Sequence, residues 1–222
     1  MNQTRSQKTR AMVLAGIFSA IILVMAFVPY MGYINLVAIK ATTIHIPVII
    51  GAILLGPKYG AFLGFVFGLT SLINNTYNFS LSSFVFSPFV ANGGFQSLII
   101  CFVPRILVGV TAAYTYKGVN ALARIFAKEA GSGNPEKGKF RDFIALPAAG
   151  LIGSITNTIL VMNLIYFLFG QSYAAAQNVA FNTLYSFILG IIFTNGIPEA
   201  LVAAVLTTVI GKVLLSMKKR LF

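Results

Sequence analysis

Two charged residues stand inside long apolar runs of the sequence, Arg105 in CFVPRILVG and Glu199 in TNGIPEALVAA. A charge held in the middle of an apolar layer without a partner costs about 2.5–3.5 kcal/mol or more. Because Glu199 is the only carboxylate within such a run, we expect the two residues to meet. Their contact is either a structural ion pair between two helices or part of a site in which Arg105 holds an acidic ligand.

Amide, hydroxyl and basic side chains recur in and beside the same apolar runs. An amide buried there needs a partner on another helix or on a ligand, because an unpaired polar group is costly to bury. We therefore predict a polar cavity, covered by the neighbouring loops, although for His45, close to Pro47, a local structural hydrogen bond is the simpler interpretation. The candidate ligand-binding residues are Lys40, His45, Asn74, Asn92, Arg105, Asn157, Asn163, Tyr166, Asn195 and Glu199.

Other chemistry finds little support in the sequence. The glycine-rich stretch from Gly51 to Gly68 superficially resembles a phosphate-binding loop, but Pro57 interrupts the required Gly-Lys-Ser/Thr ending and Tyr59 replaces the hydroxyl. The sequence has no HExxH, no Cys/His cluster and no GxSxG motif. One histidine and four acidic residues leave little for general acid–base catalysis or for a metal site. We therefore predict that the chain is not an enzyme and holds no metal.

Composition indicates what positions these residues. The 222-residue chain is 58% hydrophobic and 9% charged, against about 25% charged in a soluble domain. Apolar windows that could cross a bilayer recur along its whole length. We predict an all-α membrane protein, one integral membrane domain over residues 1–222 with six transmembrane helices. The predicted spans are about 11–28, 43–56, 58–73, 95–116, 144–169 and 185–215.

The distribution of basic residues predicts the orientation. If the N-terminus is cytoplasmic, all of the 16 lysines and arginines except Lys40 and Arg105 fall in cytoplasmic segments or at their edges. The positive-inside rule therefore favours N-in and C-in. The same rule, with anionic lipid headgroups as partners, explains the net charge of +12 without nucleic acid. The outer loops are then about 29–42, 74–94 and 170–184, and the inner loop 117–143 is expected to be a mobile linker.

Small residues recur every four positions in two places. Gly56, Gly60, Gly64 and Gly68 predict a bare ridge along the third span, where another backbone can approach closely. In the first span, small residues form a similar pattern. Packing against another span of the same chain is its simplest interpretation. These residues are Ala11, Ala15 and Ser19 in one row, with Gly16 and Ala20 beside it.

Several of these segments in their order resemble the S components of energy-coupling factor (ECF) vitamin transporters. They are the small-residue row of the first helix, HIPVIIGAILLGPKYGAFLGFVFGL, FVPRILVG, GSITNTILV and NGIPEA. The resemblance implies a six-helix protein of the bacterial cell membrane that binds a vitamin from outside. It also implies partners, namely a transmembrane coupling protein, EcfT, and two ATPase subunits that bind ATP, so that this chain needs no cofactor. In that family the small-residue row packs on the coupling protein, which assigns Ala11, Ala15, Gly16, Ser19 and Ala20 to the interface.

The FSPF segment and the asparagines of the second outer loop look most like the pantothenate-specific members. Pantothenate carries a carboxylate, an amide and hydroxyls, which suit Arg105 and several asparagines. The sequence has no Trp to stack on a large ring system, which disfavours flavin, thiamin and folate only mildly, because Phe or Tyr can also stack. Riboflavin, folate and cobalamin stay open as ligands. A secondary carrier that needs no ATPases stays open as another function.

Overall fold

Seven α-helices make up most of the chain in the part that this computed structural model describes, residues 2–28, 31–35, 40–129 and 136–221. The side chains of residues 2–6, 33–35, 40, 41, 126–129, 136–141 and 218–221 lie outside the description. The helices are α1 Asn2–Phe27, α2 His45–Leu55, α3 Pro57–Tyr77, α4 Phe95–Glu129, α5 Glu136–Ala176, α6 Leu184–Ile191 and α7 Ile197–Leu221. A π-helical turn, Ile192–Gly196, joins α6 to α7. The predicted predominance of helix is therefore confirmed.

Four helical stretches of the described chain are long and apolar enough to cross a membrane: Gln7–Phe27, Phe95–Ile125, Asp142–Ala176 and Phe181–Met217. They correspond to the first, fourth, fifth and sixth predicted spans. The second predicted span coincides with α2, whose 11 residues extend only about 16 Å, roughly half of a bilayer core. The third coincides with α3, which has 21 residues but carries Thr, Ser and Asn in its last turns.

The predicted first outer loop contains a short antiparallel hairpin. Strand β1, Tyr33–Asn35, pairs with β2, Lys40–Thr42, so that Tyr33 lies opposite Thr42. The hairpin leads directly into α2, in which ten residues from His45 to Leu54 are all buried.

The turn between α2 and α3 follows from its sequence. Gly56 adopts a φ of +95°, which a residue with a side chain rarely tolerates, and Pro57 begins α3. Proline suits the first position of a helix because the N–H that it lacks would have no helical acceptor there. The Gly-Pro-Lys segment is thus a tight interhelical turn, in agreement with the interpretation that rejects a nucleotide loop.

The glycine ridge predicted in the third span lies on α3, and the backbone that approaches it is that of α4. A Cβ at position 60 would lie 2.7 Å from the carbonyl oxygen of Gly109, and one at position 68 would lie 2.7 Å from the ring of Phe102. A Cβ at Gly64 would collide with the carbonyl oxygen of Arg105. Only glycine permits this approach. Cys101 is buried in the same contact and donates its S–H to the Gly68 carbonyl at 3.2 Å.

Two segments predicted as loops are largely helical. The inner loop predicted at 117–143 is helical at 117–129 and 136–143, the ends of α4 and α5, so the loop assignment is wrong there. Residues 130–135, at the centre of the expected mobile linker, lie outside the described residues. The hydroxyl of Tyr116 donates to Asp142 Oδ1 at 2.8 Å and ties these helices together. The outer loop predicted at 170–184 is also wrong in its first half, because α5 continues to Ala176.

The close approach of α3 to α4 predicts a large effect from one methyl group. We expect Gly64→Ala to lower the free energy of unfolding by about 1–3 kcal/mol, because α3 must move away from the α4 backbone. Thermal unfolding of the purified protein in detergent measures the change. Gly118→Ala in α4 is the control, since a Cβ there meets nothing within 4 Å and alanine favours helix. Equal unfolding temperatures for the two variants would contradict the packing described.

Candidate functional site

A polar cavity lies between α3, α4, α5 and α7, with the β-hairpin and the segment between α3 and α4 completing its walls. Its volume is about 60 Å³. The lining residues are Thr42, Ser71, Asn75, Ser82, Phe86, Arg105, Asn157, Thr158, Val161, Met162, Ile165, Tyr173, Ile191, Asn195 and Glu199.

Arg105 is the cation of this cavity, and the preceding proline helps to hold it. Pro104 lies inside α4 and has no N–H, so it cannot make the helical hydrogen bond to the carbonyl of Ile100. Arg105 Nη1 donates to that carbonyl at 2.6 Å. Pro104 therefore leaves the buried Ile100 carbonyl without its helical donor, and the next residue, Arg105, supplies one. This hydrogen bond anchors the guanidinium on its own helix.

The rest of the guanidinium environment comes from α3 and from the segment after it. Arg105 Nη2 lies 3.5 Å from Ser71 Oγ. The centre of the guanidinium lies 5.0 Å from the ring centroid of Phe86 and 5.5 Å from that of Phe67, distances suited to cation–π attraction. Because Arg105 is only 5% exposed, these contacts replace water around most of the charge.

Glu199 lines the same cavity as Arg105 and is attracted to it electrostatically. Its Oε1 accepts the backbone N–H of Thr42 at 2.8 Å, which stabilises the carboxylate. This hydrogen bond joins α7 to the hairpin. The arrangement keeps open both uses that the sequence suggests for the pair, a link between elements and a binding site.

Asn195 reaches the cavity from the π-helical turn Ile192–Gly196. A π-helical turn inserts one residue into a helix, and such turns are frequent at functional sites. Ile191, Asn195 and Glu199 follow one another at intervals of four and all line the cavity. The π-helical turn thus lies within the stretch that directs Ile191, Asn195 and Glu199 to one wall of the cavity.

Two polar atoms in the cavity wall of α5 have no hydrogen-bond partner among the described residues, Asn157 Oδ1 and the hydroxyl of Tyr173. Both side chains are buried, with Asn157 5% and Tyr173 0% exposed. Buried polar groups in proteins are nearly always hydrogen-bonded. These two are therefore groups that a bound molecule or water would satisfy.

Four of the predicted ligand-binding residues line this cavity: Arg105, Asn157, Asn195 and Glu199. The side chain of Lys40 lies outside the described residues. The other five are not among the lining residues. His45 is 1% exposed in the core at the start of α2, and Asn92 is an exposed turn residue with a φ of 66°.

The remaining three have local structural partners. Asn74 donates to the carbonyl of Ala26 at 3.3 Å, which fastens α3 to α1. Asn163 donates to the carbonyl one turn earlier in α5, at 2.8 Å. The ring of Tyr166 lies 5.2–6.0 Å, between centroids, from three other rings. Whether any of these residues contacts a ligand stays a prediction.

Sequence reasoning missed several polar residues of the cavity. They are Thr42, Ser71, Asn75, Ser82, Thr158 and Tyr173. Asn75, rather than Asn74, faces the cavity, where its Nδ2 donates to the Ser71 carbonyl at 2.9 Å. Tyr173 was missed because its segment looks like a loop. The spacing of Ser71 and Asn75, one turn apart on a helix, was the available signal for this wall.

The small-residue pattern of α1 divides between two faces. Ala15 is 4% exposed and packs within the chain, as Phe18 and Ile22 do. Gly16 and Ala20 are exposed on the other side of the helix. Ala11 lines an apolar groove between α1, α2 and α7, and the hydroxyl of Ser19 donates to the Ala15 carbonyl at 2.8 Å. The partner interface stays a prediction, and buried Ala15 offers it no free side chain.

Comparisons with known proteins cover nearly the whole chain. A family model described as "ECF transporter, substrate-specific component" matches residues 10–211. The pantothenic acid transporter PanT of Lactococcus lactis subsp. cremoris is 32% identical over 212 residues, 93% of each chain. The pantothenate transporter PanT of Leuconostoc mesenteroides subsp. mesenteroides is 31% identical over 221 residues, 97% of each chain.

One solved structure has a similar fold. It is the S-component for biotin from an ECF-type ABC transporter, and the match has a TM-score of 0.55. It covers 95% of this chain and 93% of the other, at 19% sequence identity. At that identity the likeness concerns the fold alone.

The hydrogen bond between Glu199 and the hairpin predicts a local change in backbone protection. We expect Glu199→Ala to raise the hydrogen–deuterium exchange rate of the Thr42 amide about tenfold or more, because the amide loses a charged acceptor. Glu199→Gln is the matched control, since its side-chain carbonyl can still accept this N–H. Exchange at Thr42 that is equally slow in wild type and Glu199→Ala would contradict the hydrogen bond.

Proposed function

This chain belongs to the family of substrate-specific components of ECF transporters, and on that premise we propose that it captures pantothenate at the cell surface. As a member of this family it is a vitamin-binding subunit of a membrane transporter and not an enzyme. The observation that carries the choice of pantothenate is the similarity over at least 93% of the chain to two transporters named for this vitamin.

The chemistry of the polar cavity suits such a ligand. In our proposal the guanidinium of Arg105 binds the carboxylate, since a charge-assisted hydrogen bond is the strong type of recognition for an acid. The amides of Asn157 and Asn195 bind the ligand's amide and hydroxyl groups. The apolar wall of Val161 and Met162 accommodates the two methyl groups.

We further propose a topology of six spans with both termini in the cytoplasm. In the described part of the chain, four helical stretches have the required length and hydropathy. For the other two, the support is that α2 is buried in the bundle and that α3 packs along α4. The placement of basic residues favours the orientation, which directs the hairpin and the end of α5 to the outside, where the vitamin arrives.

The energy for uptake must come from other subunits in this proposal. We propose that the chain assembles with a transmembrane coupling protein and two ATPases, and that ATP binds to the ATPases. The exposed residues Gly16 and Ala20 on α1 form the surface proposed for the coupling protein. An apolar face of this kind with small residues allows close helix packing in the bilayer.

The role of Arg105 can be tested by comparing pantothenate with pantothenol, in which an alcohol replaces the carboxylate. We expect the wild-type chain to prefer the acid by about tenfold to a hundredfold, in keeping with one charged hydrogen bond. Arg105→Gln should bind both compounds weakly and with little preference. Calorimetric or competition binding on one preparation of each variant gives the ratio independently of the folded fraction.

Two outcomes of that comparison would contradict the proposal. A wild-type chain that is folded and monodisperse but fails to bind pantothenate at millimolar concentration would exclude pantothenate as its ligand. An undiminished preference for the acid in Arg105→Gln would show that another group binds the carboxylate.

The proposed partner surface can be tested separately from ligand binding. We expect Ala20→Trp to bind pantothenate normally but to co-purify poorly with the coupling protein and to reduce uptake into liposomes that contain the whole transporter. Ile152→Trp is the control, because it places the same ring at a residue of α5 that is 44% exposed. Equal effects of the two substitutions would argue against this surface. Ala15→Trp would be less informative, because it overpacks the core.

A further inference from the structure

The hydroxyl of Tyr173 is a buried polar group among mainly apolar side chains. The side chain is fully buried, with 0% exposure, and belongs to an apolar cluster with Phe84, Ile165 and Ile188. Within the described part of the chain its hydroxyl has no hydrogen-bond partner. The same side chain lines the polar cavity. Packing alone would be served as well by phenylalanine, without the cost of an unpaired hydroxyl.

Several other hydroxyls in the helices show a contrast, although those of Ser154 and Thr207 also have no partner among the described residues. Thr111, Thr156 and Thr208 each donate to the carbonyl four residues earlier, which satisfies them within their own helix. A tyrosine hydroxyl stands at the end of a long rigid ring and cannot reach its own backbone in this way. The partner of Tyr173 must come from another element or from the contents of the cavity, and the described elements supply none.

The local backbone directs this side chain to the cavity. Phe169 departs from helical geometry, with φ −132° and ψ 16°, so α5 bends before its last two turns. Tyr173 follows the bend. Asn157, whose Oδ1 is also without a partner, lies on the same helix well before it. The unsatisfied groups therefore stand at the two ends of the α5 wall, with Val161, Met162 and Ile165 between them.

We infer that Tyr173 is a specificity-determining ligand contact, whose hydroxyl forms a hydrogen bond with a hydroxyl group of the bound vitamin. The inference rests on the proposed function and deepens it. Arg105 recognises the acid, whereas Tyr173 recognises a hydroxyl group on the rest of the molecule. The chain thereby selects hydroxylated acids over acids that are only apolar beyond the carboxylate. A site built to bond a hydroxyl rejects an analogue without one, because its own polar group is then left unpaired.

The test removes one hydroxyl from each partner. Tyr173→Phe should bind pantothenate about tenfold more weakly than the wild type. For one of the two analogues in which a single pantoyl hydroxyl is replaced by hydrogen, wild type and Tyr173→Phe should bind equally well. Tyr185→Phe is the matched control, since Tyr185 is 42% exposed and is not a residue of the cavity. This variant should bind pantothenate and the analogue with the affinities of the wild type.

Stability separates a ligand contact from a packing role. Ligand-free Tyr173→Phe should unfold at the same temperature as the wild type or higher, because the substitution removes an unsatisfied buried hydroxyl. Two results would overturn the inference. One is an unchanged affinity for pantothenate. The other is a lower unfolding temperature together with an equal loss of affinity for pantothenate and both analogues.

Mass spectrometry of small molecules that co-purify with the chain distinguishes a failure of the Tyr173 contact from a failure of the proposed function. If the wild-type chain retains a molecule other than pantothenate, the proposed function fails, and Tyr173 is then judged on that molecule. Retention that falls in Tyr173→Phe but not in Tyr185→Phe would support the contact. Equal retention by both variants would overturn it.

Discussion

The polar cavity lies where it does because α3 rests directly on the α4 backbone at Gly60 and Gly64, and on the Phe102 ring at Gly68. A bilayer provides little hydrophobic drive between helices, so close backbone packing is a main source of their association. This contact sets the distance between Ser71 on α3 and the Arg105 guanidinium, 3.5 Å at present. An added Cβ at Gly64 would collide with the Arg105 backbone itself. The position of the cation in the cavity thus depends on the glycines of the neighbouring helix.

Burial of Arg105 is compensated by several groups of different kinds. The carbonyl that Pro104 leaves without a helical donor, the rings of Phe67 and Phe86, and the attraction of Glu199 each offset part of the lost hydration. Such a charge is expensive in a membrane and is usually functional. The cavity combines it with one carboxylate, amides, hydroxyls and an apolar wall. That combination suits recognition of a small acid that is polar in several places.

Charge and amide placement made part of this site predictable. Arg105, Glu199, Asn157 and Asn195 stand out because each interrupts an apolar run, and all four line the cavity. Asn74 and Asn75 show the limit of this reasoning. Adjacent residues of a helix point about 100° apart, and only packing decides which of them faces the cavity.

Other features of the fold and of the cavity could not be predicted from the sequence, for physical reasons. Tyr173 follows Gly170 and Gln171, which suggest a loop, yet packing extends α5 through them. The hairpin before α2 has strands of three residues, too short to show alternation. The small residues of α1 allow close packing on either side of the helix, so their pattern does not reveal that Ala15 faces inward while Ala20 faces outward.

The most direct measurement is an experimental structure of the purified chain with bound pantothenate. The account predicts the ligand in the polar cavity, with its carboxylate within hydrogen-bond distance of the Arg105 guanidinium. Pantothenate bound with its carboxylate away from Arg105, or at another place in the bundle, would contradict the account.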